Sequence, residues 1–150
     1  MKQRKLLISA AALVVGGIGW FLFRPERLFI NQTVDEAFPG QTTGQAASPA
    51  TVTKVLLAGR FHGVAHKTAG MATIHELGDG KRVLRLTEFE TSNGPDVQVY
   101  LVAAPDASDN ATVTTAGFIH LGALKGNTGD QNYDVPADAD LSKYRAVTVW

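Results

Sequence analysis

Hydrophobic and polar side chains alternate along most of the chain after residue 52. In the segment DVQVYLV, Val97, Val99 and Leu101 fall on one side of an extended chain, and the residues between them fall on the other. A period of two is typical of β-strands that bury one face. The same alternation in VLRLTEF breaks at Glu88, as expected at a β-bulge. The pattern predicts strands at about residues 53–59, 69–76, 83–89, 97–102, 114–121, 131–135 and 144–150.

Turn residues separate these strands, among them the GDG segment at 78–80, the NGPD segment at 93–96 and Pro105-Asp106. Short strands joined by frequent turns are typical of two antiparallel sheets packed face to face. The sequence therefore predicts an all-β fold, an antiparallel β-sandwich of about seven strands. The one helical candidate in this part is DADLSKY, where Asp138 or Asp140 can cap a single turn around Leu141.

The first thirty residues follow a different pattern. Residues 6–23 carry no charge, and a run of this length is long enough to cross the bilayer core as a helix. The run ends in GWFLFRP instead of the small residues of a cleavage site, which favours an uncleaved anchor. Basic side chains are more numerous before the run than after it, which favours a cytoplasmic N-terminus.

This pattern divides the chain into four parts. Residues 1–5 are predicted to be a cytoplasmic basic segment, 6–23 a transmembrane anchor, 24–51 a juxtamembrane segment and linker, and 52–150 the sandwich domain. The predicted protein is a single-pass protein of the cell membrane whose domain lies outside the cytoplasm.

Charge and cysteine content exclude several classes of function. The formal net charge is zero, but five of the fourteen basic residues precede residue 31, which leaves nine against thirteen acidic residues in the rest. A domain with this acidic excess is unlike nucleic-acid-binding proteins, so no nucleic-acid partner is predicted. The chain contains no cysteine, which excludes disulfides, a cysteine nucleophile and thiolate ligation of a metal.

Three long segments resemble one protein family. They are NGPDVQVYL at 93–101, LGALKGNTGDQNYDVP at 121–136 and YRAVTVW at 144–150. In their order and spacing these segments are similar to the electron-transfer DM-thirteen domain, and the resemblance runs from Leu57 to Trp150. The segment RPERLFINQTVDEAFP also resembles the juxtamembrane part of bacterial members.

The resemblance implies a β-sandwich and a role in electron transfer, because such domains accompany haem-binding DOMON and cytochrome modules in larger proteins. It also implies a cysteine directly after the strand that ends in Trp150, followed by a further strand. The sequence shows neither, so the redox residue that the family suggests is missing. In that case we expect a free sheet edge and a Trp150 less buried than is usual for tryptophan.

The segment LKGNTGDQNYDVP is the most polar of the resembling stretches. It lacks the order of residues of a phosphate loop and the glutamate that closes a calcium loop. We interpret it as a turn in which Gly126 and Gly129 adopt positive φ, while Asn127 and Asp130 bond to nearby backbone groups. An alternative interpretation combines it with the NGPD turn into a ligand or ion site, whose candidate residues are Asn93, Asp96, Asn127, Asp130 and Tyr133.

Histidines supply the remaining candidate chemistry. His66 is the first candidate for a site residue, and His62 and His66 together are a candidate copper or zinc pair. Met71 and His75 are residue types that ligate haem. On one strand, however, they would face the same way about 13 Å apart, at about 3.3 Å per residue. No cofactor is therefore predicted for this chain, with haem or copper as the alternative.

Two functions remain open at this stage. The first is a membrane-tethered binding or structural module of the cell envelope, which is non-enzymatic because the spacing reveals no catalytic arrangement. The second is a redox or metal-binding module that works with a cytochrome-type partner. The missing cysteine favours the first function, and the family resemblance favours the second.

Overall fold

The structure is a computed structural model that describes residues 13–21, 30–39 and 53–150. Residues 13–21 are helical (α1). Among the described ranges, no helix has the length and apolar character needed to cross a membrane. Most of the predicted cytoplasmic segment, anchor and linker falls on residues 1–12, 22–29 and 40–52, which lie outside the described residues.

Eight strands and one further helix form the described domain. In chain order they are β1 (Thr33–Asp35), β2 (Lys54–Arg60), β3 (Ala69–Glu76), β4 (Arg82–Glu90), β5 (Gln98–Val102), α2 (Asn110–Ala116), β6 (Phe118–Ala123), β7 (Thr128–Val135) and β8 (Ala146–Val149). A five-stranded sheet has the order β1-β7-β4-β3-β2, and a three-stranded sheet has the order β6-β5-β8. All pairings are antiparallel except that between β1 and β7.

The two sheets share one hydrophobic core. Strand β4 is the longest strand, and β5 is the middle strand of the small sheet. Alternate residues of both strands point into the core and are almost fully buried, namely Leu84, Leu86, Val99 and Leu101. Phe89 is 1% exposed and packs edge-to-face against Phe61, with ring centroids 5.1 Å apart. Burial of large apolar side chains such as these is the main source of stability in a domain of this kind.

The prediction of a mostly β fold is confirmed, and the structure has two sheets. It has eight strands where about seven were predicted, and β3 occupies the predicted residues 69–76. The predicted bulge is also present, because the pairing of β4 with β7 shifts between Leu86 and Phe89, and Glu88 has a φ of 50°. The predicted turn at Asp140 is confirmed, since its carboxylate accepts from the backbone N–H of Ser142.

The strand predicted over residues 114–121 is wrong in its first half, which belongs to helix α2. Asp109 caps this helix by accepting a 2.7 Å hydrogen bond from the backbone N–H of Thr112. Val113 then packs against Val102 and Ala146 on the outer side of the small sheet. The helix therefore depends on its cap and on tertiary burial, which outweigh the weak helix propensity of its threonines.

Strand β1 was not predicted. It lies in the range assigned to the juxtamembrane segment and linker, and pairs in parallel with the start of β7. Glu36, directly after β1, accepts two hydrogen bonds from Lys125 Nζ at 2.7 and 2.9 Å and one from the backbone N–H of Asn132 at 2.7 Å. Residues 31–38 are thus held against the domain by β-pairing and by an ion pair.

Candidate functional site

A cleft of about 650 Å³ lies between the two sheets. Strand β2, at the edge of the large sheet, and strand β8, at the edge of the small sheet, both line it. Its apolar lining includes Leu57, Phe61, Ile74, Leu101 and Val147. Polar and charged residues also line the cleft, namely Arg60 at the end of β2, His62, His66, Asn93, Asp106 and Arg145. This combination of an apolar interior and a few polar groups is typical of a ligand site.

His62 and His66 both line the cleft, at the loop between β2 and β3. His62 Nε2 lies 2.9 Å from Asp106 Oδ1. Because an ionised carboxylate can only accept, His62 is the donor, and this hydrogen bond is the main reason why the pKa of Asp106 lies below its ordinary value. In the neutral form of an imidazole that donates from Nε2, the lone pair lies on Nδ1. The His66 side chain is exposed.

Three asparagines meet beside the cleft. Asn93 and Asn127 each donate a side-chain hydrogen bond to Asn31 Oδ1, at 3.0 and 3.1 Å. Asn127 is 6% exposed, and its Oδ1 accepts from the backbone N–H of Gln32 at 2.7 Å. A second pocket of about 430 Å³ adjoins this cluster and is also lined by Asp96. The structure therefore brings the NGPD turn and the start of the LKGN segment together.

Asp130 lies elsewhere, on the outer face of the large sheet. Its carboxylate forms an ion pair with Arg85 at 2.6 Å and accepts from the backbone N–H of Glu88 at 2.9 Å. Both oxygens of Asp130 are thus occupied by groups of β4. The bond to Glu88 stabilises a residue whose positive φ is uncommon outside glycine.

Tyr133 faces the opposite way, into the core, and is 5% exposed. Its hydroxyl donates to Gln131 Oε1 at 2.8 Å and accepts from the backbone N–H of Lys125 at 3.2 Å. Burial raises the pKa of Tyr133. Gln131, which is fully buried, completes the network by donating to the carbonyl of Gly126 at 2.7 Å. Tyr133 therefore supports the fold and does not line the cleft.

The prediction of local bonds in the LKGN turn is wrong. The side chains of Asn127 and Asp130 bond to residues far away in sequence, because this segment is enclosed by β1 on one side and β4 on the other. Gly129 has the predicted positive φ, at 98°, whereas Gly126 does not. Gly126 is required for another reason, since a Cβ there would collide with the carbonyl of Gln32. Asp96 accepts from Gln98 Nε2 at 2.6 Å, its one side-chain hydrogen bond within the described residues.

Met71 and His75 do not face the cleft. Met71 is adjacent to Ala72 and His75 is adjacent to Ile74, and since Ala72 and Ile74 line the cleft, both Met71 and His75 lie on the outer face of the large sheet. The His75 ring packs edge-to-face against Phe38 at 4.8 Å. Its Nδ1 is buried without a hydrogen-bond partner in the described part of the chain. Burial, and then the charge of Arg85, lower the pKa of His75.

The described residues offer few ligands to a metal or haem. Across residues 13–21, 30–39 and 53–150, no three histidine or acidic side chains are grouped so that they could hold a metal ion. Histidines 62 and 66 at the cleft are the best remaining donors, and Asp106 orients the first of them as a carboxylate orients a metal-binding imidazole. Two imidazoles would leave most of a metal's coordination sphere to a ligand or solvent.

Several residues of the site were missed by sequence reasoning. Asp106 was noted only as part of a turn, Asn31 was noted only as part of the linker, and Arg60 and Arg145 were not proposed as site residues. Asn31 lies in the stretch assigned to the linker, so nothing local indicated its contact with Asn127. The two arginines line the cleft only because the fold places the end of β2 and the start of β8 beside it, and Arg60, which pairs with Met71, lies on the outer face of the large sheet.

Comparison with known proteins supports the resemblance of these segments. A family model described as Electron transfer DM13 matches residues 60–150, which contain most of the cleft lining and both asparagine-containing turns. No curated protein and no solved structure matches the chain. Since the family model covers more than half of the sequence, the chain belongs to the electron transfer DM13 family.

Proposed function

We propose that this protein is a non-enzymatic binding module of an electron-transfer system, with the inter-sheet cleft as its binding site for a partner protein. The observation that carries the proposal is the cleft of about 650 Å³, whose apolar lining reaches the core and whose surroundings are polar. A soluble domain does not usually leave apolar core residues open to a large cleft, and such surfaces mark sites of interaction.

The setting in the proposal is the cell membrane. Residues 6–23 anchor the chain, residues 1–5 stay in the cytoplasm, and the β-sandwich stands outside it on the segment 24–51. The uncharged run of residues 6–23 and the basic residues before it support this arrangement. The partner is an envelope protein, and membership of an electron-transfer family favours one of cytochrome type.

Site-specific photocrosslinking in native membranes tests this proposal. Benzoylphenylalanine replaces Val64, which is 58% exposed and lines the cleft. In the matched control it replaces Asp134, an exposed residue on the outer face of β7, away from the cleft. We expect irradiation to give a discrete adduct with a membrane or envelope protein from position 64 only. No adduct, or the same adduct from both positions, contradicts the proposal.

A second candidate function is a redox module that holds its own cofactor in the cleft. His62 and His66 favour it, because both line the cleft and Asp106 is hydrogen-bonded to His62 Nε2. Copper is the metal best suited to imidazole ligands, and haem bound on one side by His66 is the other form of this alternative. A stoichiometric cofactor that is lost in His66→Ala would establish this function in place of the first.

A further inference from the structure

The two sheets of the domain differ in charge. Each of the five strands of the large sheet carries at least one charged residue. Strands β5, β6 and β8, which form the small sheet, and helix α2, which packs on its outer side, contain no Asp, Glu, Lys or Arg. Charged residues make up 19% of the sequence, so the small sheet and its helix are set apart from the rest of the domain.

An aromatic cluster occupies the outer face of the small sheet. The ring of Tyr100 packs edge-to-face against Phe118, with centroids 5.0 Å apart, and lies 5.1 Å from the ring of His120. It also meets Trp150 at 6.2 Å. Phe118 is 45% exposed, and His120 is exposed as well. An exposed apolar patch with polar groups beside it marks a surface that contacts another protein or a membrane.

The outer face of the large sheet is occupied by the chain itself. After β1 the chain crosses this face, where Arg85 in β4 donates to the carbonyl oxygen of Glu36 at 2.6 Å. Two residues later, Phe38 packs against His75 in β3. Within the part of the chain that the structure describes, the outer face of the small sheet is therefore the broad surface that remains free for contact.

The small sheet begins at the end of the domain where the chain enters it. Ile30, Val97 and Ala123 line the second pocket together, and Ala123 pairs with Gln98 at the start of β5. Ile30 follows Phe23, the last residue of the uncharged run, by seven residues. Seven residues span at most about 25 Å, so a bilayer that held this run would lie within that distance of the small sheet.

We propose that the outer face of the small sheet rests on the membrane surface, with Tyr100 and Phe118 in the head-group region of the lipids. Aromatic rings favour this interface, and tyrosine adds a hydroxyl that bonds to water or head groups. A face without ions contacts lipid without the cost of desolvating charge. The short connection to the anchor also keeps the face at a high effective concentration beside the bilayer. The inference rests on the membrane setting of the proposed function.

Quenching of a fluorophore by labelled lipids tests this contact. The chain has no cysteine, so one introduced cysteine carries a nitrobenzoxadiazole label at a chosen position. It replaces His120, the cross-strand neighbour of Tyr100, or, as the matched control, Asp134 on the outer face of β7. The full-length protein is reconstituted in phosphatidylcholine vesicles with and without lipids that bear a nitroxide near the head group. We expect quenching to be at least about fivefold stronger at position 120, because interfacial contacts reach only about 5–10 Å into the bilayer.

Substitution of Phe118 tests the contribution of the aromatic cluster. In protein labelled at position 120, Phe118→Ser should reduce quenching by at least about threefold, because it removes an exposed apolar ring from the face. Val55→Ser is the matched control, since Val55 is 55% exposed and pairs with His75 on the outer face of the large sheet. The control should leave quenching unchanged. Both variants alter exposed side chains, and a melting curve that matches the labelled parent verifies the fold.

Three results would overturn the inference. They are equal quenching at positions 120 and 134, quenching that Phe118→Ser leaves unchanged, and a label at 120 that is shielded from water only at high protein density without quenching by lipid. The third result would show that the face binds a second copy of the chain. Flotation of the vesicles identifies which proposal has failed. If the protein floats with them and position 120 is not quenched, the inference alone has failed, and if it does not float, the membrane setting has failed with it.

Discussion

Single residues in the LKGN segment act through close approach to β1 and β4. Gly129 has a φ of 98°, and a Cβ there would meet the carbonyl oxygen of Val34 in β1. Asp130, its neighbour, holds Arg85 and the strained Glu88 in β4. Each residue therefore joins strands that are distant in sequence. Its substitution should destabilise the fold more than substitution of a residue that only forms a local turn.

Gly129→Ala should destabilise the protein more than Gly80→Ala. Both glycines have positive φ, and this strain costs about 1–3 kcal/mol for another residue. Only Gly129 also faces a backbone clash, whereas a Cβ at Gly80 meets nothing within 4 Å. Urea unfolding of both variants measures the difference. Equal losses of stability would show that the approach of β1 to β7 does not require glycine.

Asp130→Ala should lower the free energy of unfolding by about 1.5–3 kcal/mol, the usual contribution of hydrogen bonds to charged groups. The loss is expected because Arg85, whose side chain is 14% exposed, would lose its ion-pair partner. Asp140→Ala, which removes an exposed capping carboxylate, is the control and should cost less.

Calcium should leave the melting temperature of the wild type and of Asp130→Ala unchanged, because both carboxylate oxygens of Asp130 already have protein partners. Thermal unfolding with and without millimolar calcium measures this. A rise of several degrees in wild type that disappears in Asp130→Ala would show that the segment is an ion site.

At the scale of elements, the sequence predicted strands well where burial follows a local pattern. Strand β5 was predicted to within one residue because the alternation in DVQVYLV places Val99 and Leu101 in the core. Strand β1 was missed because TVD is too short to show a period and forms only against β7. Helix α2 was missed because its threonines favour strands, whereas its cap and the burial of Val113 favour a helix.

The candidate site was predictable only in part for the same reason. His62, His66 and Asn93 were identified as residues, and all three line the cleft. The cleft itself depends on which strands lie at the edges of the two sheets, and periodicity does not determine that order. Tyr133 and Asp130 lie on opposite faces of β7, because they are an odd number of residues apart and successive side chains of a strand point to opposite faces.

The burial of His75 in β3, against Phe38 in the segment after β1, should make stability depend on pH. The pKa of His75 is lowered mainly by burial, so the unfolded chain takes up a proton at His75 where the folded protein does not. The contribution of His75 to the free energy of unfolding is therefore fully present above about pH 6.5 and decreases as the pH falls below it. Carboxylates with lowered pKa, such as Glu36, act only in a more acidic range.

Urea unfolding at pH 7.5 and 5.5 measures this effect. Wild type should be less stable at the lower pH, and His75→Gln should lose most of that difference because it removes the titrating group. His120→Gln, at an exposed histidine outside the core, should keep the difference. The same pH dependence in wild type and His75→Gln would contradict the account.

At the scale of the whole molecule, the two sheets enclose a core that opens between β2 and β8. At its far side the large sheet ends in β1, and Glu36, directly after β1, forms an ion pair with Lys125. Trp150, next to the open side, is 47% exposed, which agrees with the expectation from the sequence. Within the described residues, the cleft therefore opens on the side of β2 and β8, away from β1.

The central claim is that the cleft receives a partner and holds no cofactor of the protein's own. The most direct test is the absorption spectrum and metal content of the full-length protein, purified from cells supplied with haem and copper. We predict no Soret band and less than stoichiometric copper, iron or zinc, in wild type and in His66→Ala alike. Stoichiometric haem or copper in wild type that is lost in His66→Ala would contradict the claim and establish a redox module.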